Sequence, residues 1–158
     1  MVMHLYSSAF PEAGPIPERY TAEGANLSPP LDWENEPKGT KSYALIVEDP
    51  DTPDPAAPKR TWTHWVVYNI PAKTHQLVDG ANFWALPKGT VQGYNDWQFC
   101  GYGGACPPIG EHRYIHKLYA LDTLLPPLWH PDKRSLLEAM EGHVLAQTSY
   151  VGTYYRHH

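Results

Sequence analysis

Residues 62–70 read Trp-Thr-His-Trp-Val-Val-Tyr-Asn-Ile, and Pro71 follows them directly. β-Branched and aromatic residues dominate this stretch, which is typical of a β-strand that ends at the proline. Two other stretches have the same character: residues 42–48, which end before an Asp-Pro pair, and residues 113–121, which end before Asp122. The sequence therefore predicts three strong strands. Weaker signals predict further strands at residues 2–6, 82–86 and 150–155.

A single stretch, near residues 135–147, has the apolar spacing of a helix. Ser135 with Glu138 three residues later fits a capping box at its start. Gly142 lies inside the stretch and lowers its helix propensity by about 1 kcal/mol relative to alanine. The apolar residues that would share one helix face are Leu136, Leu137, Met140 and Val144. Because strands dominate and do not alternate with helices, we expect a mainly β protein, one domain over residues 1–158, with one or two short helices.

The composition excludes several classes of protein. The 158 residues include 17 Pro, 6 Trp and 11 Tyr, so long helices are excluded over most of the chain and aromatic rings supply bulk for a core. The formal net charge of −5 provides no basic surface for nucleic acid or for an anionic membrane. Residues 1–10 do not have the pattern of a signal peptide, and no apolar run is long enough to span a bilayer. We therefore expect a cytoplasmic protein in which Cys100 and Cys106 are reduced thiols.

Polar residues follow the first strong strand, where residues 49–53 read Asp-Pro-Asp-Thr-Pro. Asp49 and Asp51 are two residues apart, so in extended chain their carboxylates point to the same side. Such a pair can accept hydrogen bonds from a ligand, orient a histidine or contribute to a metal site. The alternative is a turn in which an aspartate caps its own backbone.

His64 lies inside the strand of residues 62–70. Strand parity places its side chain on the same face as Trp62, Val66 and Tyr68. It is either a ligand-binding side chain or a structural histidine whose hydrogen bonds are satisfied within an aromatic surface.

The densest polar segment is residues 101–114, which read Gly-Tyr-Gly-Gly-Ala-Cys-Pro-Pro-Ile-Gly-Glu-His-Arg-Tyr. The glycines at its start allow close approach of the backbone, so that the N–H groups near Gly104 could converge on an anion. His112 and Tyr114, two residues apart at the start of a strand, project to one face. The alternative for the glycines is a tight hairpin turn.

Other chemistries have weaker support. The chain has no Gly-x-Ser-x-Gly nucleophile motif. Cys106 lies close in sequence to His112, but a conformational role for this small residue is the simpler interpretation. A metal site would need residues drawn from Asp49, Asp51, His64, His112 and His116, whose spacing is not diagnostic of any metal. We therefore expect neither a metal ion nor a cofactor.

Taken in order, residues 49–53, 62–71 and 102–114 resemble the motifs of the phosphatidylethanolamine-binding protein family, and more narrowly those of its bacterial and archaeal branch of Raf kinase inhibitor-like proteins. The resemblance extends from about residue 9 to residue 156. Supporting stretches are residues 26–33, 117–122 and 152–154. The sequence departs from the usual motifs at Thr52 and Ala105, and residues 54–60 lengthen the loop beside the first motif.

This resemblance implies an antiparallel Greek-key β-sandwich with a short helix and a small pocket for phosphate or phosphorylated headgroups. By position, Asp49, Asp51 and Pro53 match the first motif, and His64 matches the second. The third motif supplies Cys106, Pro108, His112 and Tyr114, with loop N–H groups near Gly104. In that picture His64 and His112 donate hydrogen bonds to the anion, and Asp49 orients a histidine.

The leading interpretation is a non-enzymatic ligand-binding or regulatory protein with a small anionic ligand. The first alternative is a protease inhibitor that acts through an exposed Pro-rich loop, at residues 52–59 or 124–131. The second is a phosphoester hydrolase that uses His64, His112 and Asp49. The resemblance and the aromatic surplus are both compatible with a homodimer and an unidentified protein partner. Kinase inhibition does not follow from these motifs.

Overall fold

A computed structural model describes residues 2–82 and 84–157 of the chain. Within these ranges it contains nine β-strands and one α-helix, in agreement with the predicted mainly β fold. The strands are β1 (His4–Tyr6), β2 (Gly14–Pro15), β3 (Leu31–Glu34), β4 (Ser42–Thr52), β5 (Arg60–Pro71), β6 (Gln76–Leu77), β7 (Val91–Gln92), β8 (His112–Leu121) and β9 (Val144–Tyr154). The helix α1 is Lys133–Met140, and a short 3₁₀ helix covers Glu18–Tyr20.

The strands form two sheets. The larger has the order β2-β9-β8-β4-β5-β7, and the smaller has the order β1-β3-β6. In the larger sheet β4 pairs antiparallel with β5 and with β8, and β5 pairs antiparallel with β7. Because β8 returns along a long connection to lie beside β4, the order β8-β4-β5-β7 is that of a Greek key.

The core follows the alternation of side chains along the central strand β4. Tyr43, Leu45 and Val47 face the smaller sheet, where they join a cluster that includes Trp33. Ala44 and Ile46 face the other way, into a second cluster. β4 is therefore buried on both faces, which explains why residues 42–48 form a nearly continuous apolar run.

The three strong strands predicted from the sequence are confirmed as β4, β5 and β8. β4 extends further than predicted, through Asp49 to Thr52, because pairing with β5 resumes after irregularities: Asp49 lies opposite Trp62, and Thr52 lies opposite Arg60. Of the weaker signals, residues 4–6 are strand β1, and residues 150–154 are the end of the much longer β9.

The strand predicted at residues 82–86 is wrong for the residues that the structure describes; Phe83 lies outside them. The Asn82 side-chain oxygen accepts a hydrogen bond from the backbone N–H of Trp84, and the Asn82 backbone carbonyl accepts hydrogen bonds from the N–H groups of Ala85 and Leu86. An asparagine that closes a turn on its own backbone in this way competes with strand pairing.

The predicted helix exists, but both of its predicted ends are wrong. It begins at Lys133 because the Asp132 carboxylate, and not the Ser135 hydroxyl, is the N-cap: Oδ1 accepts the Ser135 N–H at 2.9 Å. It ends at Met140, and Gly142 follows with a left-handed φ of 82°. Residues 144–147, predicted as helix, belong to β9.

Helix α1 covers the second cluster. Leu136 and Met140 are buried there, whereas Leu137 and Val144, predicted on the same face, are exposed. At the helix start Lys133 donates to the buried Glu48 carboxylate at 2.6 Å, which joins the helix to β4. No helix in the described ranges has the length and apolar character needed to cross a membrane.

The cap assignment predicts that Asp132→Ala lowers the free energy of unfolding by about 1 kcal/mol, since the Ser135 N–H loses its acceptor. Ser135→Ala, which would be equally costly if Ser135 were the cap, should have a clearly smaller effect. Urea denaturation of the two variants and the parent checks this. Equal losses in both variants would contradict the assignment.

Candidate functional site

A pocket of about 210 Å³ lies at one end of the larger sheet, where β4 ends and β5 and β8 begin. Because β4 is antiparallel to both β5 and β8, the C-terminal end of β4 and the N-terminal ends of β5 and β8 lie at the same end of the sheet. The described residues that line the pocket are Asp49, Thr52, Trp62, His64, Trp97, Cys106, Pro107, Pro108 and Tyr114. The pocket thus brings together residues from all three polar segments of the sequence.

The predicted site residues do not all reach this pocket. Those that line it are Asp49, His64, Cys106, Pro108 and Tyr114. The other predicted site residues do not line it: these are Asp51, Pro53, Gly104 and His112. Their contacts explain why.

His112 is fully buried, and both of its ring nitrogens face acceptors. Nδ1 lies 2.5 Å from Asp49 Oδ2, and Nε2 lies 2.8 Å from the carbonyl of Ile109 and 3.2 Å from that of Pro53. A carbonyl cannot donate, so Nε2 carries a proton, and a second proton must lie between Nδ1 and the carboxyl oxygen. The expected role of His112 as a donor to an anion is therefore wrong in this geometry, since its N–H groups already bind Asp49 and the loop carbonyls.

The proton between Asp49 and His112 makes the pair neutral overall. Burial raises the pKa of Asp49, and the hydrogen bond from His112 opposes this rise. The second oxygen of Asp49, Oδ1, accepts the Asp51 backbone N–H at 2.8 Å. Asp49 therefore orients a histidine, as the resemblance implied, and also caps its own backbone, as the alternative interpretation held.

Asp51 binds Arg113 and not the pocket. Its carboxylate accepts the Arg113 backbone N–H at 2.9 Å, Nε at 3.0 Å and Nη2 at 2.8 Å. This arginine holds the pKa of Asp51 below its usual value. The two aspartates of the first motif thus join the end of β4 to the start of β8, at two successive residues.

His64 faces the pocket as a neutral ring. Its Nδ1 lies 2.7 Å from the Gly103 carbonyl and must donate to it, which leaves Nε2 as the nitrogen through which the ring can meet a ligand. Burial lowers the pKa of His64 to about 4. Trp97 and Tyr114 contact the ring edge-on, with centroids 5.0 and 5.2 Å away.

Two donors on the pocket walls have no hydrogen-bond partner within the described residues. They are the Tyr114 hydroxyl and the Trp62 Nε1–H, and both atoms are buried. Tyr114 as a whole is 2% exposed. Burial, and then the nearby Asp49 carboxyl, raise the pKa of Tyr114, so the hydroxyl remains protonated and able to donate. A buried hydroxyl without a partner costs about 1–3 kcal/mol, which a ligand oxygen would recover.

The anion-binding nest expected from the glycines is not formed. The Gly103 N–H donates to the His64 carbonyl at 3.0 Å, and the Gly104 N–H donates to Asn26 Oδ1 at 2.8 Å. Glycine is needed at both positions for space: an added Cβ would lie 2.4 Å from the Trp97 ring at Gly103 and 2.3 Å from Asn26 Oδ1 at Gly104. The loop therefore packs closely against its neighbours and does not turn its N–H groups toward the pocket.

Sequence reasoning missed Trp97 as a pocket residue and placed Trp62 only on the same face as His64. Trp97 reaches the wall because Asn95 folds the preceding segment: its Oδ1 accepts the Trp97 N–H at 2.9 Å, and its Nδ2 donates to the Gly101 carbonyl. The sequence could have predicted a turn at Asn95, because asparagine favours turns. It could not have predicted that this turn places Trp97 on the pocket wall, because that position depends on the fold.

The histidines and carboxylates considered as metal ligands do not come together. His116 is buried in the core, where Nδ1 lies 3.1 Å from the carbonyls of both Tyr114 and Tyr150 and its ring contacts Phe10. Among residues 2–82 and 84–157, no group of three His, Cys, Asp or Glu side chains is arranged to hold a metal ion.

A family model described as phosphatidylethanolamine-binding protein matches residues 6–155. The chain belongs to the phosphatidylethanolamine-binding protein family. The prediction of this family from three spaced motifs is thereby confirmed, together with the mainly β fold of two sheets.

Three relatives match this chain over nearly their whole length. A UPF0098 protein from Methanothermobacter thermautotrophicus is 49% identical over 155 residues, which are 98% of this chain and 99% of the relative. The crystal structure of a family homologue from Chlamydia trachomatis is 41% identical, with a TM-score of 0.89 and 98% of each chain covered. Escherichia coli YbcL, described as a member of the mammalian family, is 32% identical, with a TM-score of 0.88 and 99% of each chain covered.

The buried neutral histidines predict that the protein loses stability in acid. Burial lowers the pKa of both His64 and His116 from 6.5 to about 4. As the pH falls below 6.5 the unfolded chain takes up protons that the folded chain does not, so the free energy of unfolding decreases by about 2 kcal/mol per histidine between pH 7 and pH 5. The raised pKa of Asp49 acts in the opposite direction, so variants must be compared.

His116→Phe, which keeps a ring beside Phe10, should reduce the acid-induced loss by about 2 kcal/mol relative to the parent. The control is His4→Gln, because His4 is exposed on β1. Urea denaturation of the three proteins at pH 7 and pH 5 measures this. The same loss in His116→Phe as in the parent would show that His116 is not held neutral.

Proposed function

We propose that this protein is a non-enzymatic binding protein whose pocket takes a phosphate monoester or another compact oxyanion. The observation that supports this most is the Tyr114 hydroxyl, buried on the pocket wall with no partner in the described part of the chain. Trp62 lines the same pocket, and its buried Nε1–H also has no partner in the described part of the chain. Two buried donors without acceptors favour a ligand that brings oxygen atoms.

The charge of the pocket favours an anion that carries a proton. None of the lining residues in the described ranges is Lys or Arg, and Asp49 shares its proton with His112. His64 presents an unprotonated Nε2, which would repel an oxygen lone pair but accepts a hydrogen bond from a hydroxyl. A singly charged phosphate, either dihydrogen phosphate or the monoanion of a phosphate monoester, can donate to His64 and accept from Tyr114. Alternatively, a doubly charged phosphate can bind together with a proton that His64 takes up. In either case binding is coupled to proton uptake.

The size of the pocket limits what it can hold. About 210 Å³ is below the 300–1,000 Å³ that is usual for pockets that enclose whole drug-sized ligands. The pocket therefore suits a phosphoryl group or a similar headgroup, with the remainder of a larger ligand outside.

The geometry favours binding over hydrolysis. A hydrolase needs a base that can take a proton from water or from a nucleophile. His112 cannot serve while its two nitrogens bind Asp49 and Ile109. His64 remains, but it has no nucleophile hydrogen-bonded to it within the described residues.

Titration with O-phosphoethanolamine and with inorganic phosphate, followed by NMR, tests this proposal. We expect saturable shifts of pocket resonances, with an affinity that rises as the pH is lowered from 7.5 to 5.5, since binding takes up a proton. Tyr114→Phe should weaken binding about tenfold or more, the effect of losing a hydrogen bond to a charged group. The matched control is Tyr6→Phe on β1, away from the pocket.

The proposal fails if the parent protein binds neither anion at pH 5.5, or if Tyr114→Phe and Tyr6→Phe bind equally well. Release of inorganic phosphate from phosphoethanolamine by the parent protein, lost in His64→Ala, would instead support the hydrolase.

Protease inhibition remains the second candidate, supported by two exposed apolar side chains within residues 124–131. In this Pro-rich segment Leu124 is 62% exposed and Trp129 is 101% exposed. We expect Trp129→Ala to abolish any inhibition of chymotrypsin-like proteases, and Tyr114→Phe to leave it unchanged. Inhibition assays with both variants distinguish this candidate from the pocket.

A further inference from the structure

We propose that Cys106 is a site of reversible modification by small anionic disulfides, and that the modification closes the pocket. The consequence for ligand binding rests on the proposed function, but the modification itself does not. Cys106 is a free, exposed thiol and one of the residues that line the pocket. A group attached to its sulfur would lie at the pocket mouth.

The position of the thiol is fixed by the loop that carries it. Ala105 on one side is buried and pairs with Thr21, and Pro107 on the other side is buried in the pocket wall. The same pocket contains the buried, unpartnered Tyr114 hydroxyl. An adduct on Cys106 therefore stands between solvent and a group that is positioned for a ligand.

The Arg156 guanidinium beside Cys106 favours reaction with anionic disulfides. Arg156 Nη1 lies 3.9 Å from Cys106 Sγ. Arg156 follows the end of β9, and it is exposed. A positive charge at this distance attracts a disulfide that carries carboxylates, such as glutathione disulfide, and repels a cationic one, such as cystamine.

The chemistry is thiol–disulfide exchange. The Cys106 thiolate attacks one sulfur of the small disulfide, a new S–S bond forms between Sγ and that sulfur, and the original S–S bond breaks. The electron pair of the broken bond leaves with the second sulfur as a thiolate, which takes up the proton released from Cys106. Excess free thiol drives the same exchange in reverse and restores the pocket.

Cys100 supplies a matched control within the chain. It is also free and exposed, but it lines other surface hollows, beside Gln92 and Phe99, and not the pocket of Cys106. Cys100→Ser leaves Cys106 as the single thiol, and Cys106→Ser leaves Cys100 as the single thiol.

The experiment treats each single-thiol protein with glutathione disulfide or with cystamine and follows the adducts by intact-mass spectrometry. In Cys100→Ser we expect Cys106 to react faster with glutathione disulfide than with cystamine. Adding Arg156→Gln should reduce this preference by about two- to fivefold, the effect of one exposed charge pair. The adduct on Cys106 should shift the His64 and Trp62 NMR signals and abolish phosphate binding, and the adduct on Cys100 should do neither.

The proposal is overturned if Cys106 shows no preference for the anionic disulfide, or if its adduct leaves the His64 and Trp62 signals unchanged. Failure of the proposed function has a different signature: the unmodified protein then binds no phosphate, while the adduct on Cys106 still shifts the pocket signals. Phosphate that slows modification of Cys106 but not of Cys100 would support both.

Discussion

Buried carboxylates at the end of β4 need partners within the protein, and the start of β8 provides them. Asp49 meets His112, and Asp51 meets Arg113 through its backbone and its side chain. Removing one member of a fully buried pair such as Asp49 and His112 is usually far more costly than the net stability that the pair provides. These contacts therefore fix the ends of two neighbouring strands relative to each other. The pocket is the space that remains between these ends and the aromatic side chains of β5.

The strands were predictable because they depend on local chemistry. β-Branched and aromatic residues that end at proline or aspartate predicted β4, β5 and β8, and the three motifs in order identified the family. The helix ends were less predictable, because Asp132 and Ser135 are both acceptable caps and only the backbone path selects between them. Gly142 has two interpretations, a weak point inside a helix or a left-handed residue after its end, and the structure selects the second.

Within the candidate site, residue types were predictable, but hydrogen-bond partners were not. Gly103 and Gly104 suggested free N–H groups, yet their acceptors, His64 and Asn26, are 39 and 78 residues away in sequence. His112 has the chemistry of an anion donor, and its partners at Asp49 and Ile109 are set by how the two loops meet. Trp97 had no local pattern that linked it to His64. In each case long-range packing decided which of several plausible roles a residue takes.

The neutral state of the Asp49–His112 pair has a consequence for how this end of the molecule responds to its solution. Dissolved salt acts by screening separated charges, over about 8 Å at physiological ionic strength. At the pocket wall the charges of Asp49 and the His112 behind it cancel at a distance of 2.5 Å, and His64 is uncharged, so there is little for salt to screen. Protons, in contrast, can still be added at His64. The net charge of the groups around the pocket therefore changes with pH, whereas dissolved salt has little effect on their electrostatic interactions.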